Sequence, residues 1–196
     1  DLKKTQVDFL SCGGQKSIAA LPGTGFLYVN KKILGKLKDF KVGIRSVSSF
    51  NLEGYHLKNT ADRFQDGTQN LAGVVSLHAA VKDINKIGMT AIYKKNQQLQ
   101  KAYKKILREN NIPFIDYKNQ VNILSIRVSD PHSLSNYLRT KNIYIKAVKD
   151  VARISFSPNS NVVDFKKTVF YITEWAEKNK KQHFLVTAAP MTKLAK

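Results

Sequence analysis

Lys16 is the side chain whose surroundings most favour covalent chemistry. It follows residues 7–12 (VDFLSC), which we interpret as a short buried strand, and a pair of glycines that break the strand pattern. A lysine at the end of a buried strand is partly desolvated, which favours the uncharged amine and Schiff-base formation with a carbonyl compound. The alternative is a solvated lysine in a surface loop, because the chain has 33 Lys and Arg residues.

Other residues that could do chemistry lack the spacing that their chemistry requires. Residues 14–17 (GQKS) differ from a phosphate-binding loop, in which a glycine directly precedes the lysine. The histidines at positions 56, 78, 132 and 183 are too scattered to share a metal ion. Cys12 has no base near it in the sequence, which favours an inert thiol. We therefore predict no metal site.

The composition excludes several classes of protein. Of the 196 residues, 42% are hydrophobic, which is typical of a folded chain and not of a disordered one. A single cysteine excludes a disulfide scaffold within the chain, and no apolar run approaches the ~20 residues that span a bilayer. One free cysteine and the lack of an export signal predict a cytoplasmic protein that does not engage a membrane.

The hydropathy pattern predicts the elements that would position Lys16. A Pro/Gly turn follows the lysine, and residues 26–29 (FLYV) predict the next strand. Residues 31–60 show little periodicity and predict a long irregular connection. Apolar residues from Leu71 onward predict a helix that ends near Gly88.

Beyond that helix the pattern predicts a compact unit of helices and short strands. Apolar spacing predicts a second long helix over residues 89–107, and residues 121–128 (VNILSIRV) predict a strand. Asp130-Pro131 is a typical helix start, with Asp as the cap and Pro in the first turn.

Two short strands and a last helix complete this unit. The strands are predicted over residues 143–145 and 151–156. Asn161 with Asp164 resembles a capping box at the start of the helix that follows. The basic tail after Lys178 is expected to be frayed or docked as an arm.

Three segments resemble class V aminotransferases, which are pyridoxal-phosphate enzymes of fold type I and include the cysteine desulfurases. The first is residues 7–34 (VDFLSCGGQKSIAALPGTGFLYVNKKIL), which is similar to the family's cofactor-lysine segment. The second is residues 61–88 (ADRFQDGTQNLAGVVSLHAAVKDINKIG), and the third is residues 152–167 (ARISFSPNSNVVDFKK). All three occur in the family's order and at fitting separations.

The resemblance implies a role for four residues. Lys16 would form the Schiff base with the aldehyde of pyridoxal 5'-phosphate, and Gln15 would contact the cofactor phosphate. Thr68 would reach the phosphate from the neighbouring subunit, which implies a homodimer. Arg153 would grip the substrate carboxylate, because a planar guanidinium pairs with a carboxylate in bidentate fashion.

The resemblance also implies an α/β fold with an α+β small domain. Residues 1–75 would form the C-terminal part of the large cofactor-binding domain, and residues 76–196 a linking helix and the small domain. Family members have a long segment before this point, with a phosphate loop and an Asp that pairs with the pyridinium nitrogen. We therefore expect the chain to be the C-terminal half of an enzyme, to need the N-terminal half to complete its site, and to be inactive alone.

The predicted reaction is transamination or a lyase or epimerase-like reaction on an amino acid or a related amino or keto acid. Desulfurases use a cysteine of the C-terminal domain as nucleophile, and this chain has no cysteine after Cys12. Desulfurase chemistry with that nucleophile is therefore not expected.

Two alternatives remain open. The first is a basic nucleic-acid-binding module, which the net charge of 33 − 14 = +19 and the lysines of residues 94–108 favour. Against it, the chain has no recognisable binding motif, and lysines beside an apolar helix face usually form a solvated surface. The second is a non-catalytic remnant of the pyridoxal-phosphate fold.

Overall fold

The computed structural model describes residue 2 and residues 4–38, 41–117 and 122–179. The chain divides into two compact units, residues 1–88 and residues 89–196. Val121, with which the predicted strand over residues 121–128 begins, lies outside the described residues, as does the tail from residue 180 onward.

The first unit consists of two hairpins, two short helices and one long helix. Strands β1 (Phe9–Gly13) and β2 (Gly25–Val29) pair antiparallel, and strands β3 (Val47–Asn51) and β4 (Gly54–Leu57) form a second antiparallel pair. Helix α1 covers Lys31–Leu34, a 3-10 helix covers Ala61–Phe64, and helix α2 covers Leu71–Ile87.

The structure confirms the strands around Lys16 but corrects the predicted burial of the first. Phe9 and Leu10 of β1 are 50% and 39% exposed. The physical reason is that β1 pairs only with β2 in a two-stranded sheet, so no further strand or helix among the described residues covers its apolar side chains.

The predicted irregular connection over residues 31–60 is wrong in part, because it contains α1 and the β3–β4 hairpin. The hairpin turn depends on Asn51, whose side-chain oxygen accepts hydrogen bonds from the backbone N–H groups of Glu53 and Gly54, both at 3.0 Å. Because Asn51 stabilises the turn with its own side chain, the hairpin forms although its strands lack an apolar pattern.

The second unit contains a three-stranded antiparallel sheet and three helices. Its elements are α3 (Met89–Glu109), β5 (Ile123–Arg127), α4 (Pro131–Arg139), β6 (Lys146–Val148), β7 (Val151–Ser155) and α5 (Val162–Asn179). The strand order is β5-β7-β6, so the last strand of the chain lies in the centre of the sheet.

The helix starts of this unit agree with the sequence prediction. Asp130 caps α4 by accepting a hydrogen bond from Ser133 N at 2.9 Å. Asn161 accepts from Asp164 N at 2.8 Å, and its amide donates to the Asp164 carboxylate at 2.7 Å. Asn161 therefore caps α5 as predicted, but the carboxylate of Asp164 bonds the side-chain amide of Asn161 and not its backbone N–H, as it would in a capping box.

The position of one short strand is wrong. A strand was predicted over residues 143–145, whereas β6 begins at Lys146. Val148 pairs with Val151, so the hairpin turn between β6 and β7 consists of Lys149 and Asp150, with Lys149 in the left-handed region at φ 50°. The register of β6 is therefore set by this tight turn and by β7, and not by the apolar residues Ile143 and Ile145.

The hydrophobic core of the second unit lies between the sheet and its helices. Leu124, Ile126 and Ala152 point from the strands into this core and are fully buried. Tyr103 of α3 stacks on Phe165 of α5 with 3.9 Å between ring centroids, which joins the two helices. The opposite sheet face bears the alternate residues of β5, β7 and β6, and we call it the open face.

Candidate functional site

The segment that carries Lys16 is a closed turn held by backbone hydrogen bonds. Gly14 N donates to Thr24 O at 2.7 Å, and Ala20 N donates to Gly14 O at 2.9 Å. Within this frame Ala19 N donates to Lys16 O at 2.9 Å. The three bonds fix the backbone on both sides of the lysine, so the position of its Cα is well defined.

The Lys16 side chain projects from this turn into solvent. It is exposed and forms no hydrogen bond or ion pair with the residues that the structure describes. The expectation of a partly desolvated amine is therefore wrong for this chain, because β1 is itself exposed. The amine is accessible to an incoming molecule.

Gln15 lies beside the lysine and folds back towards the strand. Its Oε1 is 3.0 Å from the position that a Cβ of residue 13 would take, so the amide lies over Gly13. The side chain is exposed, and no partner for its amide occurs in the described part of the chain. Its donor groups are therefore available to an anion.

The start of α2 holds the loop that follows Lys16. Asn70 caps α2 by accepting from Gly73 N at 3.0 Å, and its amide donates to Thr24 Oγ1 at 3.3 Å. Six residues after Asn70, Ser76 Oγ accepts from Leu21 N at 3.0 Å. Sequence reasoning missed this clamp, because its members are about fifty residues apart and only the helix-capping character of Asn70 gives a local signal.

Thr68 lies in the same unit, on the segment between the 3-10 helix and α2. Its hydroxyl is exposed and has no hydrogen-bond partner in the described ranges. Asp66 holds this segment through two contacts. Its carboxylate forms an ion pair with Lys41. Its backbone carbonyl oxygen packs closely against Gly43, where a Cβ would lie 2.0 Å from that oxygen, so only glycine fits at position 43.

The Lys41–Asp66 ion pair shifts the pKa values of both groups. The hydrogen bond from Lys41 is the largest cause that lowers the pKa of the Asp66 carboxyl, followed by a bond from its own backbone. The bond to Asp66 correspondingly raises the pKa of Lys41. Both ions are therefore charged at neutral pH and fasten the Thr68 segment, although both are exposed to screening by salt.

Arg153 lies in the second unit, on the open face at the centre of the sheet. It is exposed and forms no ion pair with any described carboxylate. Its cross-strand partners are Ser125 of β5 and Lys146 of β6. The sequence did not indicate Lys146 as a candidate, because its position opposite Arg153 depends on the register between β6 and β7.

The four predicted residues thus fall into three groups. Lys16 and Gln15 are adjacent in one turn, Thr68 lies on another segment of the same unit, and Arg153 belongs to the second unit. All four are exposed, and their polar groups are free of partners among the described residues. Lys16 offers an amine for covalent attachment, and each of the other three residues offers hydrogen-bond donors to an anion.

The fold is that of the cysteine desulfurases. An apo cysteine desulfurase from Thermococcus onnurineus NA1 matches with a TM-score of 0.83 at 22% identity, over 90% of this chain and 49% of that chain. A mutant of C-DES with glycine covalently linked to its PLP cofactor matches with a TM-score of 0.77 at 19% identity, over 90% of this chain and 48% of that one. The predicted mixed helix and strand fold is confirmed.

The family model for Aminotransferase class-V matches residues 1–170. A probable cysteine desulfurase of Borreliella burgdorferi is 31% identical over 169 residues, which are 82% of this chain and 40% of the relative. The chain belongs to the class V aminotransferase family. It spans less than half the length of these relatives.

These similarities give no support to the nucleic-acid-binding alternative. On the basic face of α3, Lys104 and Arg108 both pair with Asp116, at 2.6 Å and 3.4 Å. Among the helices that the structure describes, none is long and apolar enough to cross a bilayer.

Proposed function

We propose that this chain forms the part of a pyridoxal-phosphate enzyme that holds the cofactor through Lys16 and the substrate carboxylate through Arg153. The substrate is an amino acid or a related amino or keto acid. The observation that carries the proposal is the Lys16 amine, which is exposed and without a partner in the described chain. A hydrogen-bonded turn presents it within the segment that resembles the family's cofactor-lysine segment.

The residues near Lys16 fit the chemistry of this cofactor. An aldehyde requires an amine that is not engaged in an ion pair, and a phosphate requires hydrogen-bond donors. Lys16 supplies the amine, and the amide of Gln15 and the hydroxyl of Thr68 supply donors that have no partner among the described residues. When bound, pyridoxal phosphate supplies an electron sink for negative charge on the substrate's α-carbon.

Lys16 would have a second role when its amine is not bonded to the cofactor. Its Nζ, in the uncharged form, would accept the proton from the substrate α-carbon and return it to the same or another atom. The closed turn limits where Nζ can reach, because the backbone on both sides of Lys16 is hydrogen-bonded. An arginine at this position would fail in both roles, since a guanidinium stays protonated.

Arg153 orients the substrate for this proton transfer. Its guanidinium can pair with a carboxylate through two parallel hydrogen bonds, which fixes direction as well as distance. The described carboxylates leave this group free, so a substrate does not have to displace an internal partner.

The reaction is transamination, a lyase reaction or epimerisation, and not desulfuration by a cysteine of the C-terminal domain. The only cysteine is Cys12, which lies on β1 before the cofactor lysine. The turn between β6 and β7 consists of Lys149 and Asp150 and offers no nucleophilic sulfur.

The complete enzyme is a homodimer in which Thr68 serves the cofactor of the neighbouring subunit. The support is the free Thr68 hydroxyl on a segment that Lys41 and Gly43 hold from outside the Lys16 turn. We expect this chain alone to hold the cofactor weakly. Tight stoichiometric binding by the 196 residues would contradict that expectation.

Reductive trapping tests the proposal. The chain is incubated with pyridoxal phosphate, reduced with borohydride and digested, and the modified peptides are identified by mass spectrometry. Lys16 is expected to carry the largest share of the label, and Lys16→Met is expected to remove that share. Lys36→Met is the matched control, because Lys36 is exposed in a turn and has no described side-chain partner.

The pattern of labelling decides the outcome. A dominant label at another lysine, or label spread evenly over the surface lysines, would reject Lys16 as the attachment site. Replacing Gln15 by Ala in the same assay should weaken trapping of pyridoxal phosphate but not of pyridoxal, since only the former carries the phosphate that Gln15 contacts.

A further inference from the structure

We propose that Lys146 binds a second carboxylate of the substrate, so that the enzyme acts on a dicarboxylic amino or keto acid. The inference rests on the role proposed above for Arg153. It adds a specificity-determining residue and a substrate class.

Strand register brings Lys146 and Arg153 together. Lys146 of β6 and Ser125 of β5 are both directly opposite Arg153 of β7. Residues directly opposite in an antiparallel pair point to the same face, with Cβ atoms about 4.5–5.5 Å apart. A row of Ser125, Arg153 and Lys146 therefore crosses the open face, with Ser125 buried at 7% exposure and the two cations exposed side by side.

This arrangement is unfavourable unless an anion joins it. Like charges directly opposite each other in a sheet destabilise the pairing. Neither Arg153 nor Lys146 forms an ion pair with the described carboxylates. Asp150, the acidic residue of the β6–β7 turn, lies 4.0 Å from Arg127 and does not pair with either of them. The open face thus retains an uncompensated pair of cations.

Arg127 lies on the same face but already has an ionic partner. It is placed diagonally from Arg153, since Ser125 is opposite Arg153 and Arg127 is opposite Val151. Its Nε forms no hydrogen bond with a described residue, and the Asp150 carboxylate lies 4.0 Å from it. The cations of this face that have no described carboxylate beside them are therefore Arg153 and Lys146.

The two cations suit two carboxylates better than one. A single carboxylate saturates the fork of Arg153, which leaves Lys146 unused. The Lys146 ammonium is a compact charge on a flexible stem, so it can reach a second carboxylate a few carbon atoms away. A dicarboxylate with a short carbon chain therefore matches the pair, whereas one phosphate would have to bridge both cations.

Anion titrations of the ¹⁵N-labelled chain test this proposal. Succinate, acetate and inorganic phosphate are added at constant ionic strength, and the amide signals of β6 and β7 report binding. Succinate is expected to bind about fivefold more tightly than acetate, the size of effect that one additional exposed ion pair gives. Inorganic phosphate is expected to bind more weakly than succinate.

The variants separate a specific site from the general attraction of a basic chain for dianions. Lys146→Met should lower the ratio of succinate to acetate affinity towards one and leave acetate binding unchanged. Lys167→Met is the matched control, because Lys167 is exposed on α5 without a described partner, and it should leave the ratio unchanged. Equal ratios in the two variants would overturn the role of Lys146.

Two further results are informative. Phosphate binding that is tighter than succinate binding and depends on Lys146 would overturn the dicarboxylate assignment. Arg153→Met should weaken acetate and succinate alike. If Arg153→Met leaves acetate binding unchanged, the proposed role of Arg153 is wrong. The role of Lys146 is judged separately, from the ratio of succinate to acetate affinity.

Discussion

Thr24 Oγ1 lies 1.7 Å from the position that a Cβ of residue 73 would take, so only glycine fits where α2 meets the loop after Lys16. The same loop is bonded to Asn70 and Ser76 of the helix start. The backbone that presents Lys16 is therefore held by a helix more than fifty residues further along the chain.

Replacing Gly73 by Ala should destabilise the first unit. The methyl group would displace Thr24 and strain its bond to Asn70, and overpacking of this kind costs about 1–3 kcal/mol. The better helix propensity of alanine offsets up to about 1 kcal/mol of this. Urea unfolding measures the loss, and hydrogen exchange should be faster for the amides of Gly14 and Ala20.

Gly35→Ala is the control for this substitution. Residue 35 has φ −70°, and nothing lies within 4 Å of the added Cβ. Its free energy of unfolding should change by less than about 0.5 kcal/mol. Equal effects of the two substitutions would show that the close contact between Thr24 and Gly73 does not matter for stability.

The segment that carries Thr68 should loosen in acid. Lys41 lowers the pKa of the Asp66 carboxyl below its ordinary value of 3.8. Because the folded pKa is the lower one, the ion pair stabilises the fold above the ordinary value, and this contribution is lost as the pH falls through the depressed pKa. Limited proteolysis near residues 66–68 should therefore increase below about pH 4.

Asp66→Asn should make this segment equally susceptible to protease across the acid range and remove the pH dependence. Asp83→Asn is the matched control, since Asp83 is exposed on α2 and no described residue pairs with it. An unchanged pH profile in Asp66→Asn would mean that another group controls the loosening.

The cap of α5 should contribute measurably to the stability of the second unit. Asn161→Ala removes both side-chain bonds to Asp164, and loss of an N-cap costs about 1 kcal/mol. Asn136→Ala, at an exposed position inside α4, should be neutral or slightly stabilising. The melting temperature of each variant measures the difference. An Asn161→Ala chain that melts at the same temperature as the unsubstituted chain would show that this cap does not stabilise the unit.

The helices could be predicted from sequence because their signals are local. Asp130 and Asn161 stand within three residues of the N–H groups that they cap, so their roles are visible in the sequence itself. Strands depend on partners that are distant along the chain. The β3–β4 hairpin and the true position of β6 were therefore missed, as was the exposure of β1.

The same distinction applies to the candidate site. The candidate site residues lie in segments that resemble those of a family, so their types and positions could be proposed from the sequence. They are Lys16, Gln15, Thr68 and Arg153. The relationship between Lys146 and Arg153 depends on a register that a tight turn creates. The clamp between Thr24 and Gly73 likewise depends on the packing of a loop against a helix, which no local pattern encodes.

The most direct test of the cofactor role compares reductive trapping of pyridoxal phosphate in the folded chain and in the same chain unfolded in urea. If the hydrogen-bonded turn makes Lys16 the attachment site, Lys16 carries most of the label when the chain is folded. In urea its share should fall to that of Lys36. An equal share in both conditions, or a different dominant lysine in the folded chain, would contradict the assignment of Lys16.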